Sequence, residues 1–151
     1  MMQIKNIAEL QQKAHMKTLV ADIKLCMCCV KDQEYPKVRA VGVSQMDDEG
    51  NIWFLCNKQH HTANPLHTGS KVELIYSEPG QSHLLTVYGT SIITRSRQKV
   101  HDLWTSRADE WFELGIDDPN ISLVKIIPSE AYYWDTQMEH MVALVHMAKA
   151  A

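Results

Sequence analysis

The residues best suited to chemistry fall in one stretch, positions 37–62, which reads KVRAVGVSQMDDEGNIWFLCNKQHHT. In an extended chain Arg39 shares side-chain parity with Val41 and Val43. A guanidinium on an apolar face costs free energy unless something pairs with it. The next run, Ile52 to Cys56, is apolar without alternation, the pattern of a strand buried on both faces. It opens abruptly into Asn57, Lys58, Gln59, His60, His61 and Thr62. A donor-rich strand end beside a buried arginine describes an anion pocket. A hairpin whose arginine is salt-bridged accounts for the same pattern. If a helix starts near His60, its first N–H groups and dipole complete an anion cradle with the Thr62 hydroxyl, the Asn57 amide and the Lys58 ammonium.

Other chemistry-bearing residues are less organised. Cys26, Cys28, Cys29 and Cys56 match neither a C-x-x-C redox pair with a free spacer nor a zinc-knuckle spacing. In a strand, Cys26 and Cys28 point one way and Cys29 the other, and reduced cysteine packs as a small hydrophobe. His60 and His61 are adjacent, with His67 further on; adjacent histidines on a helix diverge, so no metal is expected there. Trp53 reads as core, whereas Trp104, Trp111 and Trp134 fall where elements end, places suited to stacking on a flat ring or to burial at a dimer contact. No dinucleotide fingerprint, phosphate loop, zinc-protease or nucleophile-elbow motif is present.

The elements that must position these residues follow from periodicity. A helix is expected over about 4–22, with Ile7, Leu10, Ala14, Thr18 and Ala21 at helical spacing. Strands are expected at 25–30, on both sides of the acidic turn 47–50, at 71–76, at 84–94 with Gly89 marking a bulge, bend or close approach, and at 121–127. A short helix is expected over 60–68, closed by Gly69. Ser96 is a fair N-cap for a helix that either runs on past Trp111 or breaks into two. Pro128 to Glu130 reads as a kink or turn before a last aromatic strand. Met138, Met141, Val142 and Val145 predict a C-terminal helix over about 136–149. Strands without regular βαβ alternation favour an antiparallel barrel or sandwich with flanking helices.

Composition sets the outer bounds. The 151 residues suit one domain, spanning 1–151, and 45% hydrophobic with 22% charged residues is ordinary for a globular chain. Fifteen Lys plus Arg against 18 Asp plus Glu give a net charge of −3, which argues against a nucleic-acid or acidic-membrane partner. Lys5, Glu9 and Lys13 interrupt any signal-like run, and no stretch is apolar enough to span a bilayer, so the expected location is cytoplasmic.

The runs at 37–58, 71–80 (KVELIYSEPG), 84–95 (LLTVYGTSIITR) and 103–135, ending in Tyr132-Tyr133-Trp134-Asp135, carry a resemblance. Over about residues 5–135 the chain resembles the FMN-binding split-barrel superfamily, and within it the general-stress-protein branch of the pyridoxamine-5'-phosphate-oxidase-like proteins. The resemblance implies a mainly β (α+β) fold, a six-stranded antiparallel split β-barrel with flanking helices. It implies a homodimer with flavin at the subunit interface, and FMN as cofactor, with FAD, a deazaflavin or haem as alternatives. The function implied is that of a stress-related, flavin-dependent oxidoreductase of unspecified small-molecule substrate, with a non-catalytic flavin sensor or store, or a haem- or metal-binding split-barrel protein using His60, His61, His67 or the cysteines, as alternatives. By position, Arg39 would reach the flavin phosphate, and Ala40, Val41, Gly42 and Val43 would offer backbone groups to the ring. Cys56 and Asn57 stand where the family often has Thr-Ser, and Trp104 and Trp111 would approach the site or the dimer contact. The family's phosphate-binding serine and lysine are replaced by His60 and Thr62, leaving Lys58 or a protonated His61 to supply the lost charge. No arginine follows Trp134, which argues against pyridoxamine phosphate as substrate.

Overall fold

One strand carries most of the architecture. In the computed structural model, which describes residues 7–23, 26–31, 37–41, 44–58, 66–135 and 140–146, the strand β7 runs unbroken over Ile121–Asp135. It pairs along its length with β6 (His83–Thr94). Its other edge is shared: the first half takes β4 (Ile52–Asn57) and the second half takes β8 (His140–His146), all antiparallel. The remaining strands are β1 (Cys26–Val30), β2 (Lys37–Val41), β3 (Ser44–Met46) and β5 (Lys71–Glu78). The order is β2-β1-β5-β6-β7-β4-β3, with β8 beside β7. The sheet curls until β2 approaches β4, and a 3.2 Å hydrogen bond joins Tyr76 Oη on β5 to Ser44 Oγ on β3 across the interior. Together with two helices, α1 (Ile7–Asp22) and α2 (Arg97–Leu103), this is the expected split barrel. Eight strands are assigned where six were expected. Two additions account for the difference: a short β3 separate from β2, and β8.

The segment expected as a C-terminal helix over about 136–149 is a strand where it is described, His140–His146. Methionine and valine at helical spacing suggested the helix. The valines also suit a strand, and β7 beyond Ile126 has a backbone edge that β4 leaves open and β8 satisfies. The kink expected at Pro128 is likewise absent from the strand assignment. Pro128 has no N–H to give the ladder, and it sits opposite Gly89, where the β6–β7 register shifts. A Cβ on Gly89 would lie 2.6 Å from the Ile127 carbonyl oxygen. Gly89 therefore makes the close approach that lets β7 continue past the proline.

Two cores flank the sheet. The barrel interior holds the buried, alternate side chains of β1 (Cys26, Cys28, Val30) and β5 (Val72, Leu74, Tyr76), with Ile52, Phe54 and Cys56 of β4. Helix α1 closes it with Met16, Leu19, Val20 and Ile23. This stripe differs from the expected one: Ala14, Thr18 and Ala21 are exposed. Met, Leu and Val bury more apolar area than Ala and Thr, and the helix rotates to suit them. The second core lies on the other side of β4, where Leu55 and Leu123 meet Leu103, Ala108 and Phe112. Strand β4 is thus buried on both faces, as its sequence requires. The hairpin feeding it is fixed by Asp47, whose carboxylate accepts from the Glu49 and Asn51 N–H groups at 3.0 and 2.9 Å and from Trp53 Nε1 at 2.8 Å. Gly50 supplies the positive φ of 92° that the turn needs. Ser96 caps α2 through a 3.1 Å bond from the Lys99 N–H, and a separate short helix follows over Ser106–Glu110. The helix expected over 60–68 lies outside the described residues except for Leu66, His67 and Thr68, which lead into a turn at Gly69.

Replacing Gly89 with alanine should cost about 2–3 kcal/mol, because the new methyl must push back the β7 backbone. Chemical denaturation will measure this, and a change below experimental error would show that the close approach is not required.

Candidate functional site

The barrel end of β2 brings the first predicted residues together. Arg39 is 7% exposed and shares the inward face of β2 with the buried Val41. Its cross-strand neighbour is Cys28. The guanidinium also acts on Cys56, so it lies within electrostatic reach of thiols from two different strands. Burial dominates those thiols: Cys26, Cys28 and Cys56 are each pushed up from 9.0 to about 12, with Arg39 opposing the rise at Cys28 and Cys56. Burial also raises the buried Tyr76 hydroxyl beside them well above its ordinary value. Ala40 faces outward opposite Met27. Strand β2 ends the strand order among the described strands. Gly42, Val43, His61 and Thr62 lie outside the described residues, as does His60.

The other predicted residues lie elsewhere. The Asn57 amide nitrogen donates to the Trp111 carbonyl at 2.8 Å, so the side chain expected as an anion donor ties the Trp111 loop to β4. Lys58 is exposed at the end of β4 and is held there by its N–H to the Asn120 carbonyl at 2.9 Å. Trp104 and Trp111 pack on the second core, Trp104 with its ring centroid 5.6 Å from that of Phe112 and Nε1 3.3 Å from Asp109 Oδ1. Successive side chains of a strand point to opposite faces. Strand β4 consequently separates Cys56 and Arg39 on the barrel side from Leu55 and the tryptophans on the other. Among the described residues, the predicted constellation is therefore divided by β4, with Arg39 and Cys56 on one side and Trp104 and Trp111 on the other.

Sequence reasoning missed a cleft of about 440 Å³ where the ends of β4, β6 and β7 meet α2, with Lys58, Arg95, Arg97 and His101 in its lining. The alternating basic residues of Thr94-Arg95-Ser96-Arg97 were the available signal, and they were read as a helix cap. Among the described residues no group of three or more His, Cys, Asp or Glu is arranged to hold a metal ion, and no helix is long and apolar enough to cross a membrane.

Comparison with known proteins agrees with this architecture. The sequence model of the family described as "Pyridoxamine 5'-phosphate oxidase like" matches residues 11–151. No curated protein matches the chain. Among solved structures, a general stress FMN/FAD binding protein from Xanthomonas citri is 23% identical, with 93% of this chain and 96% of that one covered and a TM-score of 0.66. A protein related to general stress protein 26 from Clostridium acetobutylicum is 20% identical over 88% and 93% of the two chains, with a TM-score of 0.66. General stress protein 26 from Bacillus anthracis is 17% identical over 87% and 97%, with a TM-score of 0.65. At these identities the structural likeness shows the fold. With nearly its whole length matched by the family model, the chain belongs to the pyridoxamine 5'-phosphate oxidase like family.

The three buried thiols bind protons more tightly folded than unfolded. Their contribution to stability is therefore complete below pH 9.0 and is lost as the pH rises toward about 12. Alkylation should mark Cys29 in the native protein and reach Cys26, Cys28 and Cys56 only on unfolding. Mass spectrometry showing equal labelling of all four would contradict the burial.

Proposed function

We propose that this family member binds FMN between the two subunits of a homodimer and acts as a cytoplasmic, flavin-dependent oxidoreductase connected with stress. The observation that carries the reading is Arg39: a permanently charged guanidinium, 7% exposed, on the inner face of an edge strand beside the end of β4. Guanidinium and phosphate make strong paired hydrogen bonds, so Arg39 would hold the phosphate. The backbone edge of β2 would receive the polar rim of the flavin ring, with Ala40, Val41 and the following Gly42 and Val43 in the positions the family uses. The Asn57 amide donates one hydrogen bond to the Trp111 carbonyl, so Asn57 would also position that loop beside the ligand. The Xanthomonas citri relative is named for binding FMN or FAD, which supports a flavin without choosing between the two.

Dimerisation follows from the divided site. Strand β4 keeps Trp104 and Trp111 away from the Arg39 side of their own chain. These residues would therefore serve the flavin held mainly by the partner subunit. The outward face of β1 and β2 supports such a contact, for Met27 is 39% and Val38 is 59% exposed, with Ala40 beside them. Exposed apolar faces of this kind are usually covered. Free cysteines fit a reducing compartment.

When bound, the flavin supplies the redox chemistry, while the chain supplies binding, orientation and exclusion of water. A non-catalytic sensor or store is favoured by one observation: the thiols around Arg39 stay protonated at neutral pH and provide neither acid nor base. Turnover of NAD(P)H with an electron acceptor decides between the two readings.

The purified protein should be yellow and should release FMN, identified by mass, on denaturation. A colourless protein that takes up no added FMN contradicts the reading. Arg39→Gln should weaken FMN binding by about tenfold or more, with the fold checked by circular dichroism.

A further inference from the structure

The 440 Å³ cleft at the ends of β4, β6 and β7 shares only Lys58 with the residues expected at the flavin. Its lining places three permanent positive charges, Lys58, Arg95 and Arg97, around one carboxylate, Asp118, with His101 adding a fourth basic side chain. Asp118 offsets one of these charges and also fixes the loop that forms one wall: its Oδ1 accepts from the Asn120 N–H at 2.8 Å and its Oδ2 from the Leu114 N–H at 3.2 Å, which holds its carboxyl below the usual range. Arg97 bridges to Asp117 at 2.6 Å, but both side chains are about three-quarters exposed, at 73% and 75%, and such a pair exchanges readily with a ligand. This concentration of positive charge stands out in a chain whose acids outnumber its bases 18 to 15. The lining also includes apolar residues that belong to the second core, Val100, Ile121 and Leu123.

We infer that this cleft is a binding site for a small organic anion, a phosphate or carboxylate ester or acid carrying an apolar body. The volume lies within the range of small-molecule pockets, and apolar lining residues with a few placed polar groups are their usual construction. A compact ring or short chain against Val100, Ile121 and Leu123 would leave its anionic group to Arg95, Arg97 and Lys58. The walls are rigid where it matters: Ser96 caps α2, and Asp118 ties the opposite loop. A polymer such as nucleic acid does not match, because the charge is gathered in a single cleft and not along a stripe. The inference stands whether or not the protein holds a flavin, since Arg95, Arg97 and His101 are not among the residues expected at the flavin.

The test is titration of the full-length protein, with FMN present in excess, by ¹H–¹⁵N correlation spectroscopy using inorganic phosphate and phenyl phosphate as probes. Phenyl phosphate should shift the amides of residues 93–101 and 116–123, and should bind more tightly than inorganic phosphate because it also covers the apolar lining residues. Arg95→Gln, an exposed substitution that leaves the cores intact, should weaken phenyl phosphate by about tenfold, and Lys71→Gln, on β5 away from the cleft, should leave it unchanged. Three results would overturn the inference: no shift of these amides at millimolar phenyl phosphate, equal binding by Arg95→Gln, or displacement of phenyl phosphate from the same amides by FMN. A protein that binds phenyl phosphate here but takes up no FMN would refute the proposed function and leave this inference standing.

Discussion

The burial of β4 on both faces is the constraint on which the rest of the structure depends. A strand reading Ile-Trp-Phe-Leu-Cys-Asn needs apolar partners on each side, and the chain provides two separate cores to meet that need. One is the barrel interior, sealed by α1. The other is built from α2 and the Trp104–Phe112 segment. Each core buries apolar surface that would otherwise face water, and together they hold β4 against the first half of β7. Strand β7 must then be long enough to serve β4 with one half and β8 with the other, which explains why it passes through Pro128 and why Gly89 stands opposite.

The same constraint shapes function. A strand that separates two cores also separates the functional residues attached to its two faces. Arg39 and Cys56 belong to the barrel side, and the Trp111 loop, pinned by Asn57, belongs to the other. Putting a guanidinium into the barrel wall is expensive unless anionic or hydrogen-bonding groups meet it. The thiols beside it are poor anions, since burial keeps them protonated well above neutral pH. Arg39 thus sits on β2, at the end of the strand order among the described strands, beside thiols that carry no charge at neutral pH.

Much of this was legible in the sequence because local rules and tertiary demands agree there. The hairpin around Asp47 and Gly50, the two-faced burial of Ile52 to Cys56, the inward parity of Arg39 and Val41, the cap at Ser96 and the special role of Gly89 each follow from residue type and spacing. The failures occur where tertiary context decides. Spacing over 138–145 fits a helix, yet an open edge of β7 recruits 140–146 as a strand. Helix α1 presents Met16, Leu19 and Val20 in preference to smaller residues that were equally well spaced. Asn57 was chosen for its donors, and the fold commits one of them to a carbonyl fifty-four positions away. Of the cleft only the basic pair Arg95 and Arg97 leaves a trace in the sequence, because its walls come from three strand ends, α2 and a loop that are distant along the chain.

The central claim is that Arg39 binds a flavin phosphate in a site completed by a second subunit. A crystal structure of the protein grown with FMN tests it most directly. The account predicts two chains related by a twofold axis, the phosphate hydrogen-bonded to the Arg39 guanidinium, and a Trp104–Trp111 segment from the partner subunit against the ligand. A phosphate bound away from Arg39, or a flavin enclosed by one chain alone, would contradict it.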